Sequence, residues 1–393
     1  MTSAFAWLDN DDAQQRQMNE LLELFKEDST VDELGIGTIR DTFANELFPG
    51  TSVLQTRARY FLFTGWLMRD VMRQGLTGDD AVARLRADEV RLITALLNGG
   101  ELAGVIGNRA RHRLKRMPSE AYWAGMGRFG LRTWDLSISA HLRSGSARAL
   151  ITSQDPDEIG HEATQNGLDR ALPPAPDGLL RESSFDLRPE DAAYLTDRIA
   201  AACPTSLLAW LALHEDDVSI DYVWQHPAAA QFPEHARHLV DHARRFHHAI
   251  FGSALLYNLL VAEKRGDAQL VDAFREYLDD WEDEIRSEQV FDGWDCTHLW
   301  STLTRLNPRL RVATRMFVDA WLDRAQQRHV ADDASARDLV RDREVRIKGG
   351  RARLANPAAL ETWSEAAGLA RLDYRWGVAS RHLDDIYAAR RIR

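Results

Sequence analysis

Arginine is the residue whose number and placement here could do chemistry, and two stretches concentrate it. Residues 109–116, "RARHRLKR", supply Arg109, Arg111, Arg113, Lys115 and Arg116, with one histidine and no acid. Residues 341–353 carry Arg341, Arg343, Arg346, Lys348, Arg351 and Arg353 around Gly349 and Gly350. The whole chain has a net charge of −11. A basic block in an acidic protein is informative, because the background does not supply it. Rows of such cations neutralise phosphates, and the counterions they release make binding fall steeply with salt. Paired glycines let the backbone approach an anion closely. Tyr122, Trp123, Phe129 and Trp134 follow the first block and would stack bases if they faced solvent. The competing readings are plain: a solvated helix face with core aromatics at 109–116, and a flexible basic loop docked on an acidic helix at 341–353.

A third set lies in "TSVLQTRARYFLF". Ser52 and Gln55 form a capping-box pattern and predict a helix running to about Arg73. At about 100° per residue, Arg57 falls among Val53, Tyr60, Phe61 and Met68. It is expected to be partly buried, and a buried guanidinium must be paired; Asp41 or Glu46 is the expected partner. Arg59 lies one turn after Gln55 and is expected to present a polar pair outward. At the start of the second helix of a helix–turn–helix-like unit, such a pair would read phosphates or base edges. Otherwise Arg59 pairs with Asp70 or with solvent.

Other chemistries have less support. His235, His238 and His242 recur at spacings of three and four, which suit a metal, but no carboxylate or cysteine completes the set. They read as boundary histidines, and no metal is expected. Cys296 and His298 are two apart and cannot face each other on a helix, so Cys296 reads as structural, as does Cys203. The acidic run within 267–295 has eleven acids and two bases. Phe274, Tyr277, Leu278, Trp281 and Ile285 form its core stripe, so it reads as an amphipathic surface helix. No Gly-Lys-Ser/Thr, Gly-X-Ser-X-Gly, His-Glu-X-X-His or Asp/Glu-X-Lys occurs in the chain, and no cofactor is expected.

The elements that must position these residues follow the helical period. "DDAQQRQMNELLELFKE" is apolar on one face. Thr30 and Glu33 suggest a cap, after which Ile39, Phe43 and Leu47 recur every four residues until Pro49 and Gly50 stop the helix. A helix is expected over 79–97 and another from Pro118, with a short strand at "FGLRTW". The fold class is therefore mainly α, with few strands. Expected divisions are 1–145, a helical part with helix–turn–helix-like units; 146–188, a Pro/Gly-rich linker or excursion; 189–330, a tryptophan-rich bundle; and 331–393, the basic stretch and C-terminal helices. No apolar run is long enough to span a membrane. The N-terminus lacks a signal-peptide pattern, and two cysteines make no disulfide framework. A cytoplasmic protein is expected.

"TVDELGIGTIRD", "LFPGTSVLQTRARYFLF", "PSEAYWAGMGRFGLR", "HARRFHHAIFGSALLYNLL", "LVRDREVRIKGGRARLANPAALETW" and "LDYRW" resemble a family of bacterial, largely actinobacterial, proteins of unknown function. The likeness covers nearly the whole chain and departs at "FTGW", where a proline is expected before Trp66. It implies no established activity, but it suggests genes that neighbour helicases and phage-defence systems. The expectation is a non-catalytic, nucleic-acid-associated subunit of a multi-protein bacterial system, binding DNA rather than RNA and working with partner proteins of that system. The alternatives are a protein–protein scaffold docking through the acidic 267–295 helix, or a metal-dependent enzyme using the three histidines.

Overall fold

The computed structural model describes residues 32–76, 78–152 and 166–391, with the side chains of 146–152 left aside. The helix expected before residue 28, and Thr30, lie outside the described residues.

The described chain is mainly helical. In order come α1 (Gly37–Leu47), α2 (Tyr60–Arg73), α3 (Gly78–Asn98), α4 (Pro118–Arg128), α5 (Ile138–Thr152), α6 (Pro189–Ala202) and α7 (Leu207–Leu213). Then follow α8 (Glu234–Arg265), α9 (Ala268–Ser287), α10 (Cys296–Leu306), α11 (Val312–Ala325), α12 (Ala334–Lys348), α13 (Pro357–Leu360) and α14 (Trp376–Arg391). The strand expected at 129–134 is reduced to a single bridge between Arg132 and Leu168. Among the described residues, no helix is long and apolar enough to cross a membrane.

The chain folds into two compact units, each built from separated stretches: Met1–Phe43 with Leu239–Tyr374, and Ala44–His238 with Arg375–Arg393. The units therefore cut across the sequential blocks 1–145, 146–188, 189–330 and 331–393. The reason is long-range pairing that no local pattern announces.

In the first unit, the side chain of Asp32 caps α1, accepting from the amides of Ile36 and Gly37. Ile39 and Phe43 are fully buried, as their four-residue spacing predicts. α9 buries Phe274, Leu278, Trp281 and Ile285 and keeps Asp272, Asp279 and Asp283 exposed. Two of its acids do internal work. Glu282 accepts from the amide of Val330 at 3.0 Å, and Glu284 takes a two-pronged contact from Arg371. The indole of Trp281 donates to His248 O and that of Trp321 to Ala249 O, both at 2.8 Å. Gly252 makes this possible, since a Cβ there would stand 2.3 Å from the Trp281 ring.

In the second unit, α2 is buried on nearly every side and packs against α3, α4 and α5, while α14 packs against α6 and α7. The stretch expected to be a linker does different work where it is described. Residues 166–188 cross this core: Phe185 and Leu187 are buried, and Phe185 meets Tyr60 at 5.4 Å. Its proline-rich run offers carbonyls that have no helical partner. The indole of Trp66 and the guanidinium of Arg69 donate to Pro173 O, which ties the run to α2.

Candidate nucleic-acid interface

The 109–116 block belongs to the second unit, on the connection between α3 and α4. Both ends are held: Val105 and Met117 are buried, and the amide of Ile106 donates to the hydroxyl of Tyr60 at 3.0 Å. Between them the chain makes a tight turn. The amide of Arg111 bonds Gly107 O at 2.7 Å, and that of Leu114 bonds Arg111 O at 3.0 Å. Gly107 has a φ of +86°, and a Cβ on it would meet Leu114 at 2.7 Å and Ile93 at 2.9 Å. Leu114 is thus the apolar plug, and the polar residues on either side must point outward. Arg86 of α3 braces the turn by donating to Leu114 O.

The result is a cationic knuckle. Arg109, Arg111, Arg113, Lys115 and Arg116 are all exposed, with His112 among them. Among the described residues, none of the five is paired with an acid. Arg111 holds a φ of +47°, a left-handed conformation that costs a side-chain-bearing residue about 1 kcal/mol or more. The following aromatics do not serve as base platforms. Tyr122 and Phe129 are buried. The half-buried Trp123 is covered by the Arg132 guanidinium at 4.7 Å, and Trp134 packs on His141.

The pair expected to face outward from the second helix is inside. Gln55 is buried, donating to Gly50 O and Ala121 O. Arg59 is buried too. It donates to Ser184 O at 2.9 Å, lies 3.7 Å from Asp191 and covers Phe63 and Trp66. Burial pushes its guanidinium pKa down, with Asp191 opposing. The error has a local cause. The helix begins at Tyr60, not at Ser52, so residues 52–59 do not obey a helical wheel. The connection from Phe48 to Arg59 is also far longer than the roughly three- or four-residue turn of a helix–turn–helix. Arg57 is paired, but with Asp385 of α14, at 2.7–3.1 Å, not with Asp41 or Glu46. Burial works against its charge, and the Asp385 carboxylate overcomes this and holds the guanidinium above its ordinary value.

The 341–353 stretch lies in the first unit, on α12 and the turn after it. It divides into spent and unspent cations. Arg343 is buried and gives its donors to Leu34 O, Gly35 O, Ala313 O and the Thr314 hydroxyl. Lys348 contacts Glu33 and lies 3.2 Å from Glu344. Arg353 lies 3.1 Å from Glu33 and donates to the Tyr257 hydroxyl. Arg341 pairs with Asp338. Arg346 and Arg351 are exposed. The carboxylates that meet this stretch are Glu33, Asp338 and Glu344, so docking on the acidic α9 is not what holds it. A groove of about 1040 Å³ opens over these residues.

The three histidines do not form a metal set. His235 bonds Thr205 O, and the exposed His238 lies 3.7 Å from Glu234. His242 is buried with both ring nitrogens engaged, by His298 at 2.8 Å and by the Trp294 indole at 3.0 Å. No group of three metal-ligating side chains exists among the described residues. Burial raises the thiol pKa of both Cys203 and Cys296, which is the wrong direction for a nucleophile.

Residues 2–390 match the family of unknown function DUF6361. The chain belongs to that family. No curated protein matches it, and no solved structure does. Within this DUF6361 member, sequence reasoning missed Asp385 and Arg311. Asp385 is remote from its partner Arg57, and Arg311, which lines the groove over 341–353, lies outside either basic block. Only the fold brings them to their sites.

Proposed function

We propose that this chain is a non-catalytic, nucleic-acid-associated subunit of a bacterial multi-protein system, of the anti-phage kind its family resemblance suggests. The observation that carries the reading is the knuckle at 109–116. Five exposed cations without an acid partner among the described residues, braced at both ends, persist in a chain of net charge −11. No described residue is seen to pair with their charge, and a phosphate backbone would. With Gln55 and Arg59 buried, the pair expected to read bases does not reach a ligand, so contact is with phosphates and is indifferent to sequence. DNA rather than RNA is the working ligand.

Fluorescence anisotropy on labelled duplex DNA across a salt series tests this. The variant R111A/R113A/R116A should bind more weakly and lower the log–log salt slope by about 2–3, one unit or slightly less per lost phosphate contact. Binding and slope equal to wild type would remove the knuckle from the account.

A protein–protein scaffold is the second reading, favoured by the exposed acids of α9. Reversing the charge of Asp279, Asp280 and Asp283 should abolish partner capture if that reading holds. If the first holds, the reversal leaves DNA affinity intact or higher.

A further inference from the structure

The groove of about 1040 Å³ in the first unit is walled by α12, the turn that follows it, the start of α11 and the loop before α1. Two acids line it, Asp32 and Glu33, and both are committed. Asp32 accepts from the amides of Ile36 and Gly37 at 2.9 and 2.6 Å. Glu33 is taken by Lys348 and Arg353. What remains is positive: Arg311, Arg346 and Arg351 line the groove, stand exposed and have no ion pair among the described residues. Their field reaches the floor. Burial lowers the pKa of Arg343; Asp32 opposes this, and Arg346 and Arg311 push it further down.

Gly350 supplies an independent observation. It lines the groove, and a Cβ on it would meet no atom within 4 Å. Its φ is not among the positive values of the chain. Neither backbone strain nor packing asks for glycine there. Its effect is to leave this part of the groove's lining without a side chain. Among the described residues the lining holds no aromatic ring, so they offer no platform for stacking a base. The groove is partly open to solvent, whereas a small-molecule site encloses most of its ligand.

We propose that this groove holds the backbone of a single nucleic-acid strand by its phosphates, through Arg311, Arg346 and Arg351, with Gly350 admitting the strand. The inference rests on the nucleic-acid reading above and adds strand form and location. Lys348, Arg353 and Arg343 form the floor, held by the protein's own groups, and Arg341 lies outside. A groove of about 1040 Å³ has room for a short run of one strand, and the duplex comparison below tests that strand form.

The test uses the full chain with labelled deoxythymidine and deoxyadenosine homo-oligomers, a duplex, and inorganic triphosphate as competitor. Two variants are compared with wild type: R311A/R346A/R351A and G350L. Wild type should bind both homo-oligomers alike. The triple variant should lose about tenfold or more in affinity for them and reduce the salt slope by about 2, as expected for three phosphates of a single strand. G350L should weaken strand binding while leaving Tm unchanged, since the new side chain points into open space. Both variants should bind duplex as wild type does. Strand binding by wild type that neither variant disturbs would overturn the groove and leave the knuckle standing. Equal losses on strand and duplex would overturn the single-strand assignment. Displacement of the strand by triphosphate at equal concentration would make the site one for a small polyphosphate instead. Failure of wild type to bind any nucleic acid, even at low salt, would overturn both proposals together.

Discussion

At the scale of single residues, the arginines of this chain sort by whether the fold has already spent them. Arg343, Arg59 and Arg57 are held by carbonyls, rings or a carboxylate, and their loss is a matter of stability. Asp385 illustrates the cost. Its carboxylate accepts from the Arg57 guanidinium and from the amide of Ala58, with its own side chain 5% exposed and that of Arg57 27% exposed. Removing one partner of such a pair strands the other. Asp385→Ala is expected to cost about 2–3 kcal/mol, below the figure for a fully buried pair because Arg57 keeps some solvent. Denaturant unfolding measures it, and a cost under about 0.5 kcal/mol would mean that the pair is ornamental. Arg109, Arg111, Arg113, Lys115 and Arg116 should behave oppositely: each alanine substitution leaves stability nearly unchanged. The sequence could say that a buried arginine near Tyr60 needs an acid. It could not say which one, because the partner lies in the last helix of the chain.

At the scale of elements, the helical period was legible and the helix starts were not. α3 and α4 fall where periodicity and the Pro118 start signal put them. α2 begins eight residues later than the Ser52 pattern suggests: Gln55 does accept from the Ser52 amide as a capping box asks, but its amide group is drawn inward to Gly50 O and Ala121 O, and no helix starts there. That single displacement turned an outward pair into a buried one. The stretch between Leu168 and Leu187 read as linker from its prolines, yet its Leu168, Leu172, Phe185 and Leu187 are core; composition records flexibility of the free chain, not burial. The brace between α3 and α4 makes a prediction of its own. Glu89 is buried and accepts from the amide of Ser119 at 2.7 Å. Burial raises its carboxyl to about 7, the Ser119 hydrogen bonds opposing. The folded state therefore binds a proton that the unfolded state releases between about 4.5 and 7. Stability from this group is full below that window, falls as pH rises through it, and stays reduced above it. Glu89→Gln keeps an acceptor without the charge. Its Tm should exceed wild type by a few degrees at pH 8 and match it at pH 4. Equal Tm values at pH 8 would contradict the assignment.

At the scale of the whole molecule, an acidic chain clusters exposed cations that have no acid partner among the described residues, five at the knuckle and three in the groove, and we read the clusters as phosphate sites. Composition revealed the imbalance, since five cations at 109–116 stand out against a net charge of −11. The fold then removed Arg341, Arg343, Lys348 and Arg353 from the candidates by giving them partners, and added Arg311. Such sorting is invisible in one dimension because it depends on which carbonyls and carboxylates converge in space. The most direct measurement is binding of wild-type protein to labelled duplex and single-stranded DNA by anisotropy from low to moderate salt. The account predicts micromolar or tighter binding that weakens steeply and log-linearly with salt, with no preference among base sequences. Absence of binding at low salt, or binding that salt leaves unchanged, would contradict it.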